Sequence, residues 1–190
     1  MSNAANPTGG RLERFRNYLR LLVRQQLDPQ LANKLDPSDA VQETLLRAYQ
    51  NLADIDGRND AEIAAWLRQI LVNSLTDAVR HFHAGRRSID LEVSIENSSG
   101  RLESLLAGSG ATPSEALHRQ EQLIALANAL FELPDDQRVV VELKHLQGLT
   151  VSEIGTEVGR SRASVAGLLR RGLERLRELL EEVEDRETAP

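Results

Sequence analysis

Apolar residues recur along most of this chain at steps of three and four, the spacing that lines them up on one side of a helix. Leu12, Phe15, Leu19 and Leu22 form the first such stripe. Asp36-Pro37-Ser38 then supplies a helix start with proline in the first turn, and Val41, Leu45, Ala48, Tyr49 and Leu52 carry the second stripe. Beyond the polar loop Asp56-Gly57-Arg58-Asn59-Asp60, a third stripe runs through Ile63, Trp66, Leu67, Ile70, Leu71, Leu75 and Val79 into a basic end over residues 80–87. Between residues 88 and 114 the periodicity fades. Asn97-Ser98-Ser99-Gly100 and Gly108-Ser109-Gly110 read as linker, with a short helical piece over 102–106 between them. Pro113-Ser114-Glu115 opens a second half, whose first helix carries Ala116, Leu123, Leu126, Ala127 and Leu130. Pro134 starts another helix through Val139, Val140, Leu143 and Leu146, which Gly148 stops.

Residues 150–177 then show two short helices joined by a tight turn. Val151, Ile154 and Val158 fall on one face, and Gly155 is small on that same side, where a neighbour must come close. Gly159 takes positive φ at little cost, and Ser161 stands where an N-cap belongs. Val165, Leu168 and Leu169 give the second helix its buried stripe, leaving Ser161, Arg162, Ala163, Ala166, Gly167 and Arg170 outward. That is the spacing of a helix-turn-helix, which sets its second helix in a DNA major groove, with small residues for close approach and arginines for guanine edges or phosphates. A plain helical hairpin with a solvated basic face has the same periodicity.

The pattern makes the chain all-α, in two small helical domains joined by a flexible linker. The expected division is a disordered N-terminus over 1–10, a first domain over 11–87, a linker over 88–112, a second domain over 113–182 and an acidic tail over 183–190. Hydrophobic residues make up 41% of the 190, enough for packed cores, but aromatics are only 3%, so those cores are built of Leu, Val, Ile and Ala. The absence of cysteine excludes a disulfide scaffold and a Cys-type zinc site. No apolar run approaches the roughly 20 residues of a membrane span, and no basic-then-apolar leader is present. A cytoplasmic protein without membrane insertion is expected.

Net charge complicates a DNA-binding reading. The chain carries −6 overall, whereas phosphate contacts favour a basic protein. The charge is segregated, however. Residues 158–177 hold six Arg against one Glu, and residues 66–87 four Arg against one Asp. Residues 30–65 hold seven acidic groups against three basic, and residues 178–187 six against one. Two basic and two acidic surfaces suit a protein that meets DNA twice and meets a basic partner as well.

The two halves together resemble the extracytoplasmic-function sigma factors. The segment DAVQETLLRAYQNL (39–52) followed by AAWLRQILVNSLTDAVRHF (64–82) resembles their region 2, and ALFELPDDQRVVVELKHLQGLTVSEIGTEVGRSRASVAGLLRRGLERLREL (129–179) resembles their region 4. No segment resembles the intervening region 3 of larger sigma factors. The resemblance implies a protein that binds core RNA polymerase and starts transcription at promoters carrying −35 and −10 elements. It implies that the second region 2 helix docks on the β′ clamp helices through Asp39, Gln42, Glu43 and Arg47. The third helix and its preceding loop would read the −10 strand, with one base turned out of the stack and held by the loop at about residues 54–60. Asn73, Asp77, Arg80, His81 and Arg86 are the candidates to line that strand. The second domain would read −35 duplex through Arg160, Ser161, Arg162, Ser164, Arg170 and Arg171, next to the β flap. Arg162 and Arg170 would face base edges, and Arg160 and Arg171 phosphates. An anti-sigma protein covering both domains is a further implied partner, and no cofactor is implied. The chain departs from the family pattern in one respect: its loop lacks the Phe or Tyr that many members carry. Trp66 lies on the apolar stripe and reads as core. Weak intrinsic melting and strict promoter matching are expected as a result.

Other chemistries find little support. His81 and His83 flank Phe82, but on a helix they point to different faces. Gly108-Ser109-Gly110-Ala111-Thr112 lacks the lysine of a phosphate-binding loop, and Glu181-Glu182 has no apolar pocket to shift its ionisation. An enzyme is not expected. The alternatives are a helix-turn-helix regulator that binds duplex DNA without joining polymerase, and an adaptor that binds protein through its acidic helix alone.

Overall fold

In the computed structural model the described residues are 7–26, 36–82 and 113–188, and every regular element among them is helical. Helix α1 spans Pro7–Glu13 and α2 spans Arg16–Gln26. Helix α3 spans Pro37–Gln50, followed by a 3-10 turn at Leu52–Ile55, and α4 spans Asp60–Phe82. In the second half lie α5 (Pro113–Glu132), α6 (Asp135–His145), α7 (Val151–Glu157) and α8 (Arg162–Thr188).

Local chemistry sets the helix ends. The Asp36 carboxylate accepts the Ser38 N–H at 2.7 Å, and Pro37 occupies the first turn, where a missing N–H costs nothing. At the start of α4 the Asn59 side chain accepts the Glu62 N–H at 3.0 Å while Glu62 accepts the Asn59 N–H at 2.8 Å. This reciprocal pair satisfies two donors that the first turn would otherwise leave open. Gly57, at φ +78°, lets the chain reverse just before it. The first apolar stripe is not one helix. It breaks after Glu13, with the Phe15 N–H bonded to the Leu12 carbonyl, and resumes as α2. Helix α1 begins at Pro7, inside the polar segment expected to lack structure. At the other end α8 runs on to Thr188 through the acidic segment, and Leu176 and Leu179 bury against its neighbours.

In the first half, Leu12, Phe15, Tyr18, Leu19, Val41, Leu45, Ile63, Leu67 and Leu71 are almost wholly excluded from solvent. The buried Tyr18 hydroxyl accepts from Arg68 Nη1 at 2.9 Å, so its polar tip is not stranded in an apolar core. In the second half, Leu126, Leu130, Val140, Val141, Ile154, Val165 and Leu168 make the core between α5, α6, α7 and α8. Gly172 lets α8 cross α6 closely: a Cβ there would sit 3.1 Å from Val141 Cγ2.

The two halves pack on each other. Helix α5 lies against both α2 and α4, and the buried apolar residues of both halves form one continuous cluster. Polar contacts border this seam. Asn17 Nδ2 donates to Asn128 Oδ1 at 2.9 Å, Arg24 Nε lies 3.3 Å from the Glu142 carboxylate, and the Arg20 guanidinium sits 4.5 Å from the Phe131 ring centre.

Candidate nucleic-acid and polymerase interfaces

The helix-turn-helix is built from four local devices. Thr150 caps α7: its Oγ1 accepts the Glu153 N–H, and Glu153 in turn accepts the Thr150 N–H at 2.8 Å. These bonds, backbone first and then hydroxyl, hold the Glu153 carboxyl below its ordinary range. Gly159, at φ +63°, makes the turn. Gly155 is required less by the second helix than by the turn itself. A Cβ at 155 would meet the Arg160 carbonyl oxygen at 2.7 Å, a distance no side chain tolerates against backbone. That same carbonyl stretch is anchored by the Arg160 N–H, which bonds to the Gly155 carbonyl at 2.9 Å. Ser161 then caps α8, its Oγ accepting the Ser164 N–H at 3.2 Å.

This geometry leaves Ser161, Arg162, Ala163, Ala166, Arg170 and Arg171 exposed and Ser164 and Gly167 half-buried on one side of α8. The arginines are only lightly held. Arg162 bonds to the Ser152 hydroxyl at 2.7 Å, Arg170 pairs with Glu174 at 3.0 Å, and Arg160 lies 3.6 Å from Asp136. Arg171 has no ion pair among the described residues. Exposed pairs of this kind contribute little to stability, so the guanidiniums can be given up to another acceptor at small cost.

The polar face of α3 is a second surface. Asp39, Gln42 and Glu43 are exposed. Arg47 bridges Glu43 at 2.7 Å and Asp77 of α4 at 3.2 Å, and the Glu43 bond, then that to Asp77, raise its already high pKa. The bridge joins one residue expected to meet polymerase with one expected to meet the −10 strand. Asp39, Gln42, Glu43, Leu45, Leu46, Tyr49 and Arg16 line a shallow groove there. Its rim is ordered by Arg16, which grips Glu13 with two bonds of 2.7 and 3.0 Å, and by Tyr49, whose hydroxyl donates to the same carboxylate at 3.1 Å. Those bonds, Arg16 foremost, lower the Glu13 pKa, while burial raises that of Tyr49. Leu46 is 53% exposed beside these charges. It falls one residue off the apolar stripe, next to Leu45, and that offset was the signal available in the sequence.

On α4, Asn73 is exposed and Asp77 is tied to Arg47. Arg80 and His81 fall in the last turn of α4, but their side chains, like all of Arg86 and His83, lie outside the described residues. Trp66 is half-buried against the core with the Arg58 guanidinium 5.7 Å from its ring, consistent with a packing residue. Helix α2 carries a basic stripe that charge counting over the other segments passed by. Arg16, Arg20 and Arg24 are spaced by four, with Arg11 and Arg14 upstream and only Glu13 opposing them. All but Arg16, which holds Glu13, reach across the fold: Arg11 and Arg14 to Asp60, Arg20 to Phe131 and Arg24 to Glu142.

Comparison with known proteins decides what these two surfaces belong to. Residues 12–83 match the family model of Sigma-70 region 2, and residues 123–176 that of Sigma-70, region 4. The chain is 30% identical over 145 residues to the ECF RNA polymerase sigma factor SigL of Mycobacterium tuberculosis, covering 76% of this chain and 75% of that protein. This chain belongs to the ECF RNA polymerase sigma factors. The sigma factor is also 27% identical over 154 residues to SigW of Bacillus subtilis, covering 80% of each chain. It is 30% identical over 139 residues to the RNA polymerase sigma-H factor of Pseudomonas aeruginosa, covering 73% of this chain and 67% of that one. It is a promoter-specific transcription initiation factor that acts with core RNA polymerase on promoter DNA. The region 2 match contains α3 and α4, and the region 4 match ends within α8, so both candidate surfaces fall inside matched segments. No described helix of the sigma factor is long and apolar enough to cross a membrane.

Proposed function

We propose that the two surfaces divide the work of initiation. The first turns of α8 read −35 duplex, with Arg162 and Arg170 on base edges, Arg160 and Arg171 on phosphates, and Ser161 and Ser164 positioning the helix. The end of α4 and the loop before it engage the −10 strand through Asn73, Asp77, Arg80, His81 and Arg86. The groove on α3 takes the β′ clamp helices, with Leu46 as the apolar anchor and Asp39, Gln42, Glu43 and Arg47 as its charged rim. The region 4 half faces the β flap, and an anti-sigma protein that covers both halves would silence the factor.

The observation that carries this reading is the exposed strip Ser161, Arg162, Ala163 and Ala166 at the start of α8. Alanines there let a backbone approach bases, and an arginine whose only described partner is a serine hydroxyl is free to exchange it for a guanine edge. Leu46 supports the docking half: a large apolar side chain half exposed among carboxylates suits a basic partner helix with an apolar ridge. The test is in vitro transcription with core polymerase on a promoter library randomised at single base pairs. Arg162→Ala should lose preference at particular −35 positions and leave −10 preference alone. Leu46→Asp should lose polymerase binding while duplex binding by the C-terminal half persists. Unchanged −35 preference in Arg162→Ala would remove that residue from the reader.

A further inference from the structure

We propose that Arg58 is a base-stacking residue of the −10 site. Its guanidinium, backed by the Trp66 ring, takes the face of a base turned out of the strand, in place of the Phe or Tyr that the loop lacks. The inference rests on the reading above that the loop before α4 engages the −10 strand.

Arg58 is fixed through its N–H, its carbonyl and its side chain. The N–H donates to the Ile55 carbonyl at 3.1 Å, and the carbonyl accepts from Arg11 Nη2 at 2.9 Å. The guanidinium lies over the Trp66 ring, 5.7 Å from its centre, within the roughly 6 Å reach of a cation–π contact. Gly57, at φ +78°, turns the chain just ahead of it, and the reciprocal Asn59–Glu62 pair closes the turn behind it. A side chain on a loop held in this way is largely ordered before a ligand arrives, so binding costs it little further freedom.

The charge of Arg58 is uncommitted. Asp60, in the same turn, is 5% exposed and already holds Arg11 at 2.7 Å and Arg14 at 3.4 Å. Arg58 itself makes no ion pair among the described residues and is only half-buried. A Cβ built on the neighbouring Gly57 would meet nothing within 4 Å, so the space beside Arg58 is open. An arginine so placed can pair with a phosphate of a single strand or lay its plane on a base. Trp66 favours the base. Its ring holds one face of a flat, weakly hydrated cation, which leaves the other face to a further π system, whereas a phosphate needs only the charge. Trp66 stays half-buried and packed on the core, so it serves as backing and not as the surface the base meets.

The test uses the full chain assembled with core polymerase on promoter templates already opened across the −10 element, so that melting does not enter. Bases of the exposed strand are replaced one at a time by an abasic residue. In the parent, one position should cost about tenfold in affinity, the scale of a single stacked base. Arg58→Ala should lose about as much on the intact strand and nothing further on the strand abasic at that position. Arg58→Phe should restore binding, and Arg58→Lys, which keeps the charge without the plane, should not. Core polymerase affinity and −35 preference should be unchanged in all three variants, which separates stacking from misfolding. Two results would overturn the role of Arg58. One is parent-like binding by Arg58→Ala. The other is a loss that Arg58→Lys repairs and that persists on every abasic strand, the signature of a phosphate contact. If no abasic position costs the parent anything, the loop holds no turned-out base, and the reading of the loop fails with it.

Discussion

The arginines of the α1–α2 segment and those of α8 are the same residue along amphipathic stretches of the same kind, and they have opposite fates. In the α1–α2 segment, Arg11 of α1 reaches the enclosed Asp60 carboxylate at 2.7 Å, with Arg14 of the following turn on its other oxygen at 3.4 Å, and Arg24 of α2 reaches the enclosed Glu142. On α8, Arg162, Arg170 and Arg171 are exposed, with a hydroxyl, a solvent-facing glutamate or nothing described as partner. A guanidinium paired to a buried carboxylate would have to abandon that charge in a low-dielectric site before it could bind DNA. One paired at the surface gives up little. Burial of the acidic partner, and not the count of arginines, thus separates the set that builds the fold from the set offered to a ligand.

The most severe way to break this comparison is to remove the turn that presents the α8 arginines. Gly155→Val places atoms against the Arg160 backbone carbonyl, which cannot move aside. A loss of about 3 kcal/mol or more is expected, at the top of the range for overpacking, and urea unfolding of the whole chain measures it. Gly167→Ala is the control. Its Cβ would meet only the tip of Arg171 at 3.4 Å, so stability should hold or rise slightly. Equal losses in the two would show that close approach at the turn is not what Gly155 provides.

Next in size is the effect on recognition. Arg162→Ala should cost about 1–3 kcal/mol of discrimination at specific base pairs. Folding stability should stay within about 0.5 kcal/mol, since the lost partner is an exposed serine hydroxyl. Arg171→Ala should weaken all sequences alike and lower the salt slope of binding by about one. A specificity change in Arg171→Ala with none in Arg162→Ala, measured on the same duplex library, would reverse the two roles.

The mirror experiment addresses the α1–α2 segment. Asp60→Asn removes the carboxylate that Arg11 and Arg14 share and a negative charge from the first turn of α4. About 1–2 kcal/mol of stability should go, with −35 preference untouched. Thermal unfolding and the duplex library together check it. A shifted preference would mean that Arg11 and Arg14 act on DNA after all.

Which of these roles the sequence discloses depends on how far apart the partners lie. The Gly159 turn, the Ser161 cap and the Val165, Leu168 and Leu169 stripe all rest on neighbours within four residues, and all are where the spacing predicts them. The Thr150–Glu153 box was equally local. Arg11 and Asp60 are 49 residues apart, and Asn17 and Asn128 are 111 apart. Nothing in periodicity ties such residues together, so the α2 stripe reads as one more run of surface charge until the fold closes. Trp66 was legible because a stripe position implies burial. Leu46 was not singled out because exposure of a lone leucine is common and acquires meaning only from the carboxylates around it.

The smallest expected effects come from two glutamates that sharpen the same contrast through pH. Glu153 is exposed, and the Thr150 bonds lower its pKa in the folded chain. Its contribution is therefore present above the unfolded carboxyl pKa and is lost as pH falls through the folded one. Glu142 is the reverse. Burial raises its pKa, and Arg24, Arg138 and Arg20 only partly oppose that. Its protonated form is the better tolerated, so a cost appears as pH rises through the folded pKa and stays constant above it. Glu153→Gln should thus be less stable than the parent near neutrality and approach it in acid. Glu142→Gln should equal or exceed the parent near neutrality, and the difference should shrink in acid. Parallel urea titrations at several pH values decide the matter. If Glu142→Gln is the weaker chain at neutral pH, attraction to Arg24 and Arg138 outweighs burial, and the seam between the halves is held by charge more than by packing.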